Sequence, residues 1–167
     1  MRSTALAFMI VLALLLGACT STDSNAPKEV YRLQLAVHAS QTVNPDDERR
    51  PAPIVVRIYE LRTDGTFNTA DYFSLQDKDR SVLGNDLVRR DEFLLRPGEQ
   101  RSIQRKTDPA TTAIGIVAAY RDLPHAVWRT VYPLATTPDA VWYRVFAPKQ
   151  NLTVELDTHA IKINAAN

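Results

Sequence analysis

The sequence predicts a mainly β protein: an antiparallel β-sandwich interrupted by one short helical insertion. Three observations carry this. Short runs of alternating apolar and polar residues recur along the chain, which is the period of a strand with one buried face. Turn residues separate these runs at roughly the 8–12-residue spacing of sandwiches and barrels. No long strand–helix–strand alternation is present, which argues against a parallel α/β sheet. Ten prolines against five glycines add stiff turns between extended segments.

The chain opens with a segment of another kind. Arg2 precedes an uninterrupted apolar run over residues 5–16. As a helix this run spans about 18 Å, too short for a hydrocarbon core of about 30 Å. A basic start, a short apolar stretch and small residues before a cut describe a secretory signal. The sequence Leu16-Gly17-Ala18-Cys19 resembles a bacterial lipobox, at which the cysteine is lipidated and the chain is cleaved just before it. Cys19 is the single cysteine, so no disulfide can form within the chain. Residues 1–18 are therefore expected to be a lipoprotein signal peptide. Residues 19–29 are expected to be an acylated Cys19 and a polar tether, and residues 30–167 the folded domain. Two or more acyl chains hold a protein stably on a bilayer. Thr20 rather than aspartate after the lipobox points to delivery to the outer membrane, as in the lipoprotein class this resembles.

The mature domain reads in order. Tyr31, Leu33, Leu35, Val37 and Ala39 alternate with polar or small residues, giving a first strand over 31–39. Residues 40–53 contain Pro45, Pro51 and Pro53 together with Asp46, Asp47, Glu48, Arg49 and Arg50. They form no regular element and are expected to be a long exposed loop. Residues 54–61 are a second strand, apolar on both faces and so central, closed by a turn at Asp64-Gly65. Phe67, Ala70 and Phe73 recur at helical spacing. They predict a helical insert over about 67–90, built of a helix at roughly 68–77, a solvated break at Lys78-Asp79-Arg80, and a second turn or helix at 79–89. Phe93-Leu94-Leu95 begins the return to strands, and Pro97-Gly98 has the composition of a type II turn. Residues 100–106 read as a polar edge strand. Residues 111–121 are the most apolar and belong at the centre of the core, with Gly115 admitting a neighbouring backbone. Further strands are expected at 127–132, 141–146, 152–156 and 160–163.

Composition excludes several functions. Without residues 1–18, whose one charge is Arg2, positive and negative side chains are equal in number, so no cationic excess exists to bind nucleic acid. No Gly-rich phosphate loop is present. His38, His125 and His159 have no second ligand at metal-binding spacing, and Asp46-Asp47-Glu48 lacks the spaced ligands of a calcium loop. Asp91 and Glu92 are adjacent in a strand and point opposite ways, which is wrong for a catalytic pair. No nucleophile–base pair is legible, and no cofactor is expected beyond the lipid on Cys19. Trp128, Trp142, Tyr120, Tyr132 and Tyr143 lie on strands. They could form a platform for a small ligand or a peptidoglycan glycan, although such residues more often fill a sandwich core.

One run is distinctive. Asn44-Pro45-Asp46, followed by Pro53-Ile54-Val55-Val56-Arg57-Ile58-Tyr59-Glu60-Leu61, resembles the TssJ (SciN) lipoproteins of type VI secretion systems. The likeness continues through Phe67-Asn68-Thr69-Ala70-Asp71-Tyr72-Phe73-Ser74-Leu75, Leu83-Gly84-Asn85-Asp86-Leu87 and Leu95-Arg96-Pro97-Gly98-Glu99. It ends at Gly115-Ile116-Val117-Ala118-Ala119-Tyr120-Arg121, followed by Trp128-Arg129. The resemblance implies a transthyretin-like β-sandwich with a helical addition and no enzymatic activity. It implies a lipoprotein on the periplasmic face of the outer membrane that binds the periplasmic C-terminal region of TssM, and through TssM associates with TssL. The loop over residues 40–53 corresponds to the family's TssM contact, which assigns Asn44, Pro45, Asp46, Asp47, Arg49 and Arg50 to partner binding.

Overall fold

The computed structural model describes residues 30–135 and 148–166. Cys19, the tether, and the strand expected over 141–146 with Trp142 and Tyr143 lie outside the described residues.

Two four-stranded sheets face each other. In chain order the strands are β1 (Arg32–Ala39), β2 (Ile54–Leu61), β3 (Leu87–Leu95), β4 (Gln100–Lys106), β5 (Ala113–Ala118), β6 (Arg129–Pro133), β7 (Lys149–Leu156) and β8 (Ile161–Ala165). One sheet runs β4-β1-β7-β8 and the other β3-β2-β5-β6. Both predicted central strands, β2 and β5, are internal, and the polar β4 is an edge, as expected.

One strand pairing departs from the antiparallel expectation: β1 and β7 are parallel, from Arg32 opposite Lys149 to Ala39 opposite Leu156. The physical reason is connectivity. Parallel neighbours need a crossover, and here the chain between β1 and β7 builds the whole second sheet and the edge strand β4 of the first.

The alternation of β1 sends Leu33, Leu35 and Val37 inward, where they meet Ile54, Val56 and Ile58 of β2 and Ile114, Ile116 and Ala118 of β5. Leu152, Val154 and Leu156 of β7 complete this core. The second sheet is apolar on its outer face as well, because helices cover it. Tyr59, Leu61, Ala113 and Val117 pack there against Phe67, Tyr72, Leu75 and Leu83. Gly115 is needed on this face, but for a side chain rather than a backbone. A Cβ at Gly115 would lie 2.8 Å from Phe67 Cζ.

The helical layer begins earlier and ends sooner than predicted. Helix α1 spans Gly65–Thr69 and α2 spans Tyr72–Leu83. Asp71 caps α2, its carboxylate accepting from Ser74 N at 2.9 Å and Ser74 Oγ at 2.6 Å. This is the usual satisfaction of a helix's first free amides. The helix does break at Lys78 (φ −137°, ψ 25°), and Arg57 Nη1 donates to Leu75 O and Gln76 O just before the break. The break is not wholly solvated, however. Asp79 is buried and accepts from Tyr59 Oη at 3.1 Å, with Arg90 Nη1 also 3.1 Å away. Residues 87–90 belong to β3 and not to a helix, since Arg89 pairs with Glu60 of β2 and Arg90 with Asp79 of the covering helix α2.

A charge cluster closes the side of the sandwich. Glu60, fully buried at the end of the inward face of β2, accepts from Arg105 Nε of β4 at 2.6 Å and Thr111 Oγ1 at 3.0 Å. Arg105 Nη1 also reaches Asp91 Oδ2 of β3 at 2.5 Å. One guanidinium therefore joins the edge of one sheet to two strands of the other.

Candidate partner-binding site

The loop over residues 40–53 leaves the C-terminal end of β1 and is built from its own side chains. Ser40 N donates to Leu156 O at 2.9 Å, and Gly98 N lies 3.1 Å from Ala39 O, so the strand end is tied on two sides. Gly98, at φ +76°, supplies the left-handed corner of the predicted Pro97-Gly98 turn. Val43 and Ala52 are buried and Ala52 N donates to Val43 O at 3.2 Å, which pins the base of the loop.

Asn44 corrects the expectation of a fully exposed loop. It is 3 % exposed, at φ +50°, a conformation asparagine tolerates better than other side chains. Its Nδ2 donates to Pro53 O at 2.9 Å, and its Oδ1 accepts from Arg121 N at 2.8 Å. The carboxamide thus ties the two limbs of the loop together and fastens them to the segment after β5. It is turned inward, to the body of the domain.

The tip has its own brace. Asp46 Oδ1 accepts from Glu48 N at 3.0 Å and Arg50 N at 2.9 Å, and Asp46 Oδ2 accepts from Arg50 Nε at 2.8 Å. The Arg50 amide and then its guanidinium hold the Asp46 carboxyl below the usual carboxylate range. Arg50 also pairs with Glu48 at 2.8 Å. The acidic and basic halves of the tip therefore neutralise each other in part. Arg49 N donates to Asp46 O at 2.8 Å, but the side chains of Asp47 and Arg49 take no part in this brace, and among the described residues neither makes a side-chain ion pair. Arg49 sits at φ +63°, strained for a residue with a Cβ.

Beside the tip lies a cleft of about 520 Å³ lined by Pro45, Asp46, Asp47, Arg49, Arg121, Asp122 and His159. Asp122 lies 2.8 Å from His125 Nδ1. The sequence places Arg121 at the end of a strand over 111–121; the strand stops at Ala118, and Arg121 instead lines the cleft.

The remaining sequence candidates lie elsewhere. Among the described residues no group of three metal-ligating side chains forms. Asp91 and Glu92 face opposite ways, one to Arg105 and the other to Arg57 and Arg90. Tyr120 is buried and donates to Asp157 O at 3.0 Å, while Trp128 and Tyr132 pack onto the core. These three aromatics do not form an open platform.

The geometry defines a small β-sandwich whose distinctive surface is a stiff charged loop at one end. The family model described as "Type VI secretion lipoprotein, VasD, EvfM, TssJ, VC_A0113" matches residues 31–159, and the chain belongs to this family. The chain is similar to the T6SS lipoprotein TssJ1 from Pseudomonas aeruginosa, with 42% identity and a TM-score of 0.74, covering 83% of this chain and 98% of that one. It is also similar to Serratia marcescens Lip, described as a membrane bound component of the Type VI Secretion System. There the identity is 29% and the TM-score 0.71, covering 84% of this chain and 99% of the other. At the level of fold it is similar to a chain in a structure described as the T6SS protein TssM C-terminal domain from EAEC. That match has 23% identity and a TM-score of 0.60, covering 80% and 98% of the two chains. No curated protein matches the sequence.

Proposed function

We propose that this protein is a non-enzymatic lipoprotein held on the periplasmic face of the outer membrane by acylated Cys19. In this reading its loop over residues 40–53 binds the periplasmic C-terminal region of TssM, linking TssM, and TssL through it, to that membrane. The observation that carries the reading is the loop's construction. Asn44 anchors its limbs and Asp46 braces its tip, so the exposed side chains of Asp47 and Arg49 are held in place before any partner arrives. A preorganised loop loses less conformational entropy on binding than a flexible one. The assignment gives Asn44, Asp46 and Arg50 positioning roles and leaves Pro45, Asp47 and Arg49 to meet the partner. Family membership and the likeness to a membrane-bound component of the secretion system support the role.

Orientation supports it too. β1 begins at Arg32, and the loop leaves it after Ala39. Eight extended residues span about 26 Å, so the start of the described domain and the loop lie at opposite ends of this strand. A domain tethered by its N-terminal end presents the loop away from the membrane.

The test is calorimetric titration of the domain lacking residues 1–19 against the TssM periplasmic region. Replacing residues 45–50 by a Gly/Ser segment, with Asn44 retained, should keep the circular dichroism spectrum. It should weaken binding at least tenfold, or about 1.4 kcal/mol. Wild-type affinity in the replaced protein would move the binding surface elsewhere.

A further inference from the structure

The cleft beside the loop tip carries information about what the partner must offer. Its carboxylates are mostly engaged: Asp46 accepts from two backbone amides and the Arg50 guanidinium, and Asp122 is paired with His125. Its guanidiniums are not. Arg49 and Arg121 both line the cleft, both are exposed, and among the described residues neither side chain donates to an acceptor. Arg121 enters the loop's hydrogen bonding only through its backbone N–H, which Asn44 Oδ1 accepts, so its side chain is left to the cleft. Arg49 and Arg121 belong to segments far apart in sequence, and Asn44 is the residue that joins those segments.

Each guanidinium carries five N–H donors in a planar fork that matches a carboxylate. Asp47 is the one carboxylate in the cleft without a donor among the described residues. It disfavours a second acid placed out of register. We propose that this cleft receives an acidic side chain of the partner, clasped between Arg49 and Arg121, so that the partner's contacting segment is an acidic peptide. This rests on the loop reading above and specifies the chemistry on the other side.

The experiment uses the full-length protein in detergent, titrated with the TssM periplasmic region at low and at moderate ionic strength. Arg49→Glu and Arg121→Glu should each weaken binding at least tenfold without shifting the melting temperature, and Arg49→Lys should retain more affinity than Arg49→Gln. Arg96→Glu, at an exposed arginine of the neighbouring turn outside the cleft, should bind within twofold of wild type. The association rate of the wild type should fall as salt rises, and that dependence should shrink in both glutamate variants. If both glutamate variants bind like the wild type while the loop-replaced protein does not, the acidic partner is overturned and loop binding stands. If the loop-replaced protein also binds normally, both readings fall. If Arg96→Glu weakens binding as much as the cleft variants do, the effect is general charge and the clasp is overturned.

Discussion

Asn44→Ala tests whether the loop is held by the carboxamide or merely folded beside it. The substitution removes two hydrogen bonds, from Nδ2 to Pro53 O and from Arg121 N to Oδ1. Each has a net worth of about 1 kcal/mol, and each leaves a backbone group without its partner. Alanine at φ +50° adds about 1 kcal/mol, because a Cβ crowds the following carbonyl in the left-handed region. The expected loss is about 3 kcal/mol, a large share of the stability of a small domain. Asn44→Gly removes the same bonds without the backbone strain, so its loss should be about 2 kcal/mol. Urea unfolding followed by circular dichroism measures both variants, with equal slopes confirming a common transition. Trypsin supplies a local readout: cleavage after Arg49 should accelerate in both, since the loop can then open without global unfolding. An Asn44→Ala protein within about 0.5 kcal/mol of the wild type, the range of ordinary surface changes, would refute the bracing role.

The other expectations concern anchor, helix layer and acid stability. Cys19→Ser should abolish lipidation and move the protein out of the membrane fraction; mass spectrometry showing an unmodified Cys19 in the wild type would end the anchor proposal. Gly115→Ala should lower stability by about 1–3 kcal/mol, because its Cβ would press on Phe67 Cζ and Cε1 at 2.8 and 3.0 Å. Adding Phe67→Leu should recover part of that loss, and a Gly115→Ala protein as stable as the wild type would show that the ring can yield. Hydrogen bonds from Arg57 and Arg90 hold Glu92 below the usual carboxylate range, and Ser74 and Arg50 do the same for Asp71 and Asp46. The unfolded chain therefore takes up protons at these sites first. Their stabilisation is complete above the ordinary carboxylate range and drains as pH falls through the depressed values. The urea midpoint should hold between about pH 7 and 5 and decline below about 4. A midpoint flat to about pH 2.5 would contradict these pairings.

Much of the sandwich was legible because burial alone dictates it. The alternation of β1 and the two-sided apolar character of β2 report directly on which faces are covered, and the structure covers those faces. What escaped the sequence reading depends on partners distant along the chain. Leu87 to Arg90 look helical or solvated by local pattern, yet Arg89 is matched by Glu60 on the neighbouring strand and Arg90 by Asp79 on α2. Asp79 reads as a surface charge until Tyr59 and Arg90 enclose it. Asn44-Pro45 reads as an exposed turn, and only the approach of Arg121 reveals that the amide is buried. The parallel β1–β7 ladder could not be read, since a two-residue period says which face is buried and nothing about which strand lies alongside.

That ladder gives the domain a mechanical character. β1 lies inside its sheet, paired along its length with β4 on one side and β7 on the other. Tension between a tether at its start and a partner gripping the loop at its end would run along this one strand. Such a pull slides β1 lengthwise past both neighbours and loads the two ladders of hydrogen bonds together. A pull applied across the sheet at β8, which pairs on one side with β7 and ends near the C-terminus, would instead open bonds one after another. The domain is therefore expected to resist stretching most strongly along β1, from Arg32 to the loop that follows Ala39.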